Sequence, residues 1–442
     1  MRTIFITSCH PLISRNILST KLLEILLEKT VQVVLIVPRA KADYFLGAFG
    51  REGVVVCGVD ATIGTREVFM RYLSLAALKT KTLWIKRKTE MRGSGAWLTY
   101  LISNRFGRKL IRLAEKISYH HSTFEMLFNE YKPDLVFSTD IQSETDIAML
   151  IEAHKRGINT VGMVRSWDNL TSKGLIRIIP KRLLVWNDII KGEAINLHDI
   201  QEASISVVGI PHYDEYKNLN FTDKDKQLFF KKIEADITKK IVLFIPIGDR
   251  YLKNNTVDRD IVALLDKVLP LSYQILVRLP PGDYVRALED NTSQFARGRI
   301  LYDRPSTKFE NIKHTELGKQ EDIHLAQTLS WSEFVVSGPS TAVIDAALFD
   351  RPCILFGFDG YESREYFDSV RRYYDYDNFV PILKSGGAVL ASSVENFISL
   401  VRKYVENPRA DAKSRKTLVL GQAGLDDTNS TLRLVNVLID CL

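Results

Sequence analysis

Cysteine is scarce in this chain. Its 442 residues include four, Cys9, Cys57, Cys353 and Cys441, set far apart, with no CxxC pair and no adjoining histidine cluster. That spacing excludes a disulfide framework and the ligand sets of structural zinc, and leaves the four as small buried hydrophobes. Long apolar runs are also missing. Stretches such as 31–37 are strand-sized, and no window approaches the roughly 20 residues that span a bilayer. Near the N-terminus the apolar stretch 4–6 is too short for a secretory leader, and His10-Pro11 follows it closely. The expectation is a cytoplasmic protein. Several catalytic signatures are absent: GxGxxG after the first apolar strand, GxxxxGK[ST], HExxH and GxSxG. Acidic residues are dispersed, so no metal site and no cofactor are expected.

What is present is a length sufficient for two or three domains, with ordinary proportions of apolar and charged residues. The net charge of +7 is unevenly placed. Between Arg71 and Lys116 twelve Lys and Arg meet only Glu90 and Glu115, a local excess of about +10 that is larger than that of the whole chain. Trp84, Trp97, Tyr100 and Phe106 are interleaved with them. Basic residues among aromatics suit an anionic membrane surface or an anionic acceptor. The alternative is a solvated basic helix face over buried aromatics. Nucleic acid is not among the expected partners.

Periodicity reads as alternating strands and helices. Continuous apolar strands fall at 3–7, 32–37, 54–57, 134–138, 160–164, 182–186 and 205–208, with helical spacing at 16–28 and 143–156. Residues 71–132 read as a helical insertion, interrupted near Gly93 and Gly95. A charged stretch at 213–238 reads as a linker helix. A second series then starts, with strands at 240–245, 274–278, 333–337 and 353–357 and helices at 258–268, 322–329, 340–349, 394–406 and 430–441. Strands that are apolar throughout belong to parallel sheets covered on both faces. The fold class expected is therefore α/β, with two doubly wound Rossmann-like domains at 1–212 and 239–442. Such sheets bind ligands at the carboxyl ends of their strands, and two of them facing across a cleft would place a site there.

The sharpest local feature runs from Ser337 through Gly338, Pro339, Ser340 and Thr341 into an apolar helix. A strand ends, the chain turns, and unpaired N–H groups at the helix start attract phosphate, with the Ser340 and Thr341 hydroxyls as further donors. Plain helix capping gives the same pattern. Arg278 at the end of its strand suits a phosphate fork, and Gly248 and Arg250 follow the strand at 240–245. An ion pair is the alternative for both arginines. Glu362 and Arg364 are candidates for contacts with a sugar or ribose. In the N-terminal half Trp167-Asp168-Asn169 ends in Lys173 after a strand, and His10 and Asp140 each follow another. Asp168 and His10 are the candidate bases, while an Asx turn is the structural alternative for Asp168-Asn169.

Residues 320–385, with the Ser-Gly-Pro-Ser-Thr turn, Ala346-Ala-Leu-Phe-Asp-Arg-Pro352, the strand after it and the acidic–aromatic stretch 359–377, resemble the donor half of GT-B glycosyltransferases. Among these they are most similar to the CDP-glycerol glycerophosphotransferase-like and capsule-polysaccharide transferase group. Trp167 and Lys173 keep the spacing of that group's Trp-His-Gly-Thr-Pro-Leu-Lys, but Asp168 replaces its histidine and Asn169 its glycine. The resemblance implies a metal-independent glycosyltransferase with a nucleotide-sugar donor on the C-terminal domain and a saccharide or lipid-linked acceptor, working in surface polysaccharide or glycoconjugate assembly. The aspartate favours sugar transfer over polyol-phosphate transfer. The alternatives are a polyol-phosphate transferase, a nucleotide-sugar 2-epimerase, and a non-catalytic protein that binds an anionic polymer or membrane.

Overall fold

The computed structural model describes residues 1–10, 13–60, 63–90, 96–119, 124–281, 284–290, 298–305, 316–424 and 427–442. Pro11, the interruption at 93–95 and Gly282 lie outside the described residues. The chain forms two compact units, Met1–Asn218 together with Ala423–Leu442, and Leu219–Gln422.

The first unit is built on a seven-stranded parallel sheet. Its strands are β1 (Arg2–Thr7), β2 (Val31–Pro38), β3 (Val54–Val59), β4 (Leu135–Ser138), β5 (Asn159–Met163), β6 (Arg182–Val185) and β7 (Ile205–Val207), in the order β3-β2-β1-β4-β5-β6-β7. Ile4, Phe5 and Ile6 register with Leu135, Val136 and Phe137, and all six are fully buried. Helices cover both faces, which is why these strands are apolar throughout. The chain winds outward from β1 to β3 and then returns to β4 on the other side of β1. The winding therefore reverses between β1 and β4, and the carboxyl ends of these two strands mark a topological switch point. Between β3 and β4 the expected helical insertion comprises helices Thr65–Ala76, Lys81–Thr89, Ala96–Ile102, Arg105–Ser118 and Glu125–Tyr131. Met70, Leu83 and Ile111 from these helices, with Ala77 and Leu78 from the connection between the first two, form one apolar cluster with Leu175.

The second unit carries a six-stranded parallel sheet of β8 (Lys240–Ile245), β9 (Tyr273–Arg278), β10 (Ile300–Asp303), β11 (Ser332–Ser337), β12 (Cys353–Phe356) and β13 (Val389–Ala391), in the order β10-β9-β8-β11-β12-β13. Its switch point lies between β8 and β11. β10 and β13 are additions to the sequence reading. The expected linker helix is shorter than the stretch read for it, at Asp223–Lys232, and belongs to the second unit.

One boundary differs in kind. The sequence reading places 430–441 in the C-terminal domain, but helix Ser430–Cys441 packs into the first unit. Asp214 accepts hydrogen bonds from the Ser430 N–H (3.1 Å) and the Thr431 N–H (2.7 Å), and Asn159 Nδ2 donates to the Cys441 carbonyl (2.7 Å). Leu434, Val435 and Leu438 are buried there. Among the described residues no helix is long and apolar enough to cross a membrane.

Candidate active site

Each switch point is held by one buried aspartate. In the second unit Asp258, in the first turn of helix Val257–Val268, accepts the N–H of Ile247 (2.9 Å), the N–H of Gly248 (3.0 Å) and Asn255 Nδ2 (2.6 Å). This fixes the loop after β8. In the first unit Asp146, on helix Glu144–Lys155, accepts from the hydroxyls of Thr7 and Ser138 (2.9 Å for the latter) and from the Asp140 N–H (3.3 Å). That ties the end of β1 to the end of β4. Burial pushes each carboxyl up to about 6, with Asp140 adding to the shift of Asp146 and Asp249 to that of Asp258.

Beside the β8 loop, the turn after β11 comes close. The Gly338 N–H donates to the Ile245 carbonyl (3.2 Å), and a Cβ on Gly338 would stand 3.0 Å from Ile247 Cβ, so only glycine fits without displacement. The Ser337 Oγ is fully buried and has no hydrogen-bond partner among the described residues. The helix begins at Ala342, two residues beyond the expected Ser340. Ser340 Oγ accepts from the Ala342 N–H (3.2 Å), while Thr341 is exposed and its side chain caps nothing. The aromatic stretch after β12 braces the β8 loop from the other side: Arg372 Nη2 (3.0 Å) and the Tyr373 hydroxyl (2.6 Å) donate to the Tyr251 carbonyl. Glu362 is half exposed. It accepts from Thr256 Oγ1 (3.1 Å) and pairs with Arg364 (2.9 Å), which also donates to the Lys253 and Asn254 carbonyls.

Two expectations change here. Arg278 is buried between Asp303 and Glu321 (2.6 Å for the latter), and Asp303 also meets His324 (3.0 Å). Its charge is already matched by two carboxylates, so it serves the ion-pair alternative and not a phosphate fork. The single N–H of Gly248 is used by Asp258 and is not free for phosphate. Arg250 is exposed, with its guanidinium over the Tyr251 ring at 5.8 Å.

In the first unit His10 follows β1 and Asp140 follows β4, one on each side of the switch point. Asp140 pairs with Arg165 (2.7 Å). Asp168 lies after β5, separated from β1 by β4, which puts the two strand axes roughly 10 Å apart. The Ser172 hydroxyl donates to the Asp168 carboxylate (2.9 Å). Burial alone would raise Asp168, but Lys173, the hydroxyls of Ser166 and Ser172, and Lys86 outweigh it and hold the carboxyl below the ordinary aspartate range. The turn that carries Asp168 is anchored from outside. Thr80 Oγ1 donates to the Thr171 carbonyl (2.8 Å), and buried His198 bridges the Leu170 carbonyl (2.9 Å) and the Ile176 N–H (3.1 Å).

The loops after β4, β5, β6 and β7 share with helix Ser14–Leu18 a pocket that no single stretch of sequence marks. Thr139, Arg165, Trp186 and His212 line it with Asn16. Its free volume, about 10 Å³, is that of one water-sized group. Trp186 Nε1, His212 Nδ1 and Asn16 Oδ1 are all buried without a hydrogen-bond partner among the described residues. Burial, and then Arg15, pushes His212 well below the ordinary histidine value, so its ring is neutral near pH 7. The only local signal for His212 is its place after Gly209, which has φ +84° at a strand end. Both amide atoms of Asn169, next to Asp168, are likewise buried and unpartnered among the described residues. No group of three or more His, Cys, Asp or Glu among the described residues is placed to hold a metal ion.

No family model matches the chain, and no curated protein matches it by sequence. Solved structures do match by fold. The chain is similar to the UDP-GlcNAc 2-epimerase of Neisseria meningitidis bound to UDP-GlcNAc, at 12% identity and a TM-score of 0.59, with all of both chains covered. It is similar to the UDP-GlcNAc 2-epimerase of Methanocaldococcus jannaschii at 14% identity, a TM-score of 0.55 and full coverage of both. A glycosyltransferase of Rickettsia africae matches at 12% identity and a TM-score of 0.54, with 99% of this chain and 97% of that one covered. The fold is GT-B. These neighbours support the broad GT-B class and do not support the narrower glycerophosphotransferase group. At such identities the likeness speaks for the fold alone. The GT-B strands and switch points are those described above.

Proposed function

We propose that the chain is an enzyme acting on a nucleotide-activated sugar, with glycosyl transfer as the first reading. The observation that carries it is the construction of the β8/β11 switch point. One loop is fixed by Asp258, and a glycine turn leaves the buried Ser337 hydroxyl without a partner among the described residues. Strand ends at a switch point are where doubly wound sheets take ligands. In this reading the diphosphate rests at Ser337, Ser340 and Thr341, while Gly338, whose N–H is taken by the Ile245 carbonyl, lets the turn lie close to the β8 loop. Glu362 and Arg364 meet the ribose or sugar. An acceptor hydroxyl attacks the anomeric carbon, the bond from that carbon to the phosphate oxygen breaks, and the nucleoside diphosphate departs. The hydroxyl proton passes to a general base, for which Asp168, His10 and the neutral His212 are the candidates. No metal is required, because N–H groups and hydroxyls carry the charge of the leaving group. The acceptor is a saccharide or a lipid-linked saccharide. An aspartate at 168, in place of the histidine of the glycerophosphotransferase-like group, supports sugar over polyol-phosphate transfer.

A second reading, 2-epimerisation, is favoured by the convergence of His10, Asp140, Asp168 and His212 on strand ends of one sheet, since inverting a sugar carbon needs several acid–base groups and no acceptor. The resemblance to structures named UDP-GlcNAc 2-epimerase agrees with it. The test begins with thermal shifts of the purified protein against UDP, GDP, CDP and ADP and their sugars, without metal. One nucleotide is expected to raise the unfolding temperature. The responding sugar nucleotide is then incubated alone in D₂O. Transfer predicts an unchanged donor until an acceptor is added. Deuterium at the sugar C2 with no acceptor present identifies the epimerase. No shift with any nucleotide overturns both readings.

A further inference from the structure

Helix Arg105–Ser118 in the first unit has its inner face settled. Gly107, Ile111 and Glu115, at spacings of four, are buried, and Ile111 joins the apolar cluster of the insertion. Asn104 caps the helix by accepting from the Gly107 N–H (2.9 Å). Arg108 makes a double contact with Asp199 (2.7 and 2.9 Å), and Arg112 Nε donates to the Ile176 carbonyl (3.1 Å). A helix seated this firmly on a globular protein turns polar residues outward. This one does not. Phe106, Leu110, Leu113 and Ile117 are 72, 49, 54 and 63% exposed. At about 100° per residue the four fall within a stripe roughly 60° wide. In the preceding helix Ala96–Ile102, Trp97 and Tyr100 are 68 and 79% exposed. Exposed apolar side chains grouped in this way mark an interaction surface.

Charge selects the occupant. Arg105, Lys109 and Lys116 are exposed along one flank of the stripe. The single acid of the helix, Glu115, is fully buried between Arg66 (2.7 Å) and Arg177 (2.9 Å), so the helix itself turns no acid outward; Arg105 alone of the three cations also reaches a carboxylate among the described residues, that of Asp199 at 3.4 Å. A second copy of the chain, docking through a two-fold contact, would set these cations against themselves. A bilayer with anionic headgroups meets both halves of the pattern: acyl chains for the stripe, headgroups for the basic row, and the interfacial layer that tryptophan and tyrosine prefer.

We propose that helices Ala96–Ile102 and Arg105–Ser118 form a membrane-docking face. Phe106, Leu110, Leu113 and Ile117 enter the boundary between headgroups and acyl chains of an anionic bilayer, and Arg105, Lys109 and Lys116 contact the headgroups. This does not depend on which sugar chemistry the enzyme performs.

The experiment is flotation of the full chain with vesicles of phosphatidylcholine alone and of equimolar phosphatidylcholine and phosphatidylglycerol. Binding is expected to the anionic vesicles and to weaken with salt. The double variants Leu110→Gln with Leu113→Gln, and Lys109→Glu with Lys116→Glu, are each expected to lower the partition constant about tenfold or more. Because all four side chains are exposed, the unfolding temperature should not move, which separates lost docking from lost folding. Failure to bind anionic vesicles overturns the proposal. So does a leucine variant that binds vesicles like the parent while charge reversal abolishes binding, since that describes a general polyanion surface. Self-association in sedimentation velocity that disappears with the leucine variant would assign the face to a second copy instead.

Discussion

Asp146 and Asp258 hold equivalent points in two different sheets, and both are held as carboxyls of unusually high pKa. Their side chains take hydrogen bonds from hydroxyls, an amide side chain and main-chain N–H groups, yet burial still outweighs these donors and places both near 6. The folded value lies above the roughly 3.9 of an unfolded aspartate. Such a group contributes its stability fully below the unfolded value and loses it as pH rises through the folded one. Asparagine at position 146 removes this term. The stability of the parent relative to Asp146→Asn is therefore expected to grow by on the order of 2–3 kcal/mol between about pH 7 and pH 4. Urea unfolding of both proteins across that range measures it. A difference that stays flat with pH would mean that the carboxylate is fully satisfied where it sits. Neither aspartate stands out in the sequence, because each is an acid in the first turn of a helix, an ordinary place for one. His212 is hidden for a different reason, since its pocket draws on loops after four strands, whereas the turn at Gly338 is legible because glycine, proline and two hydroxyls fall together in five residues.

At the scale of the element, legibility follows the pattern that makes each element. β8 and helices Val394–Glu406 and Ser430–Cys441 have the bounds that periodicity gives, because their buried side chains are dense and regular. Helix Asp188–His198 has a weak sequence signature. It buries only Ile190, Ala194 and His198, a thin stripe with Gly192 in its middle, although Asn187 accepts from the Ile190 N–H (2.9 Å) and is a readable cap. β13 has three residues, too few for any period to appear. Helix Ala342–Leu348 is the element on which the donor reading rests, and its start offers a clean test. Ser340 Oγ takes one helix N–H and Thr341 takes none. Thr341→Val should thus change stability by less than about 0.5 kcal/mol, and Ser340→Ala by about 1 kcal/mol. If these hydroxyls meet the diphosphate, the double variant should lose most of the nucleotide-induced thermal shift while its own unfolding temperature drops only slightly. An undiminished shift would leave Ser340 as a helix cap and nothing more.

At the scale of the whole chain the two units differ in how sequence supplies them. The second is one continuous segment, Leu219–Gln422, with its own six-stranded sheet, and the first is closed by a helix that arrives after the second is complete. No local pattern in 430–441 reveals which sheet that helix joins. The decision lies in Asp214, which takes its first two N–H groups, and in the apolar ground under Leu434, Val435 and Leu438. Burying each of these three side chains is worth about 1.5–3 kcal/mol, so their sum is comparable to the 5–15 kcal/mol that keeps a domain folded. A fragment of residues 1–218 is then expected to be unfolded or aggregated, and the same fragment with 423–442 joined by a flexible linker to recover a cooperative transition. The fragment 219–422 keeps every strand of its sheet and should fold unaided. If the donor nucleotide is held by the second unit, this fragment alone should show the thermal shift seen in the full chain, and the repaired first unit should show none. Calorimetry of the three pieces decides both points, since a stable 1–218 would make the closing helix dispensable, and a shift confined to the first unit would move the nucleotide to the other sheet.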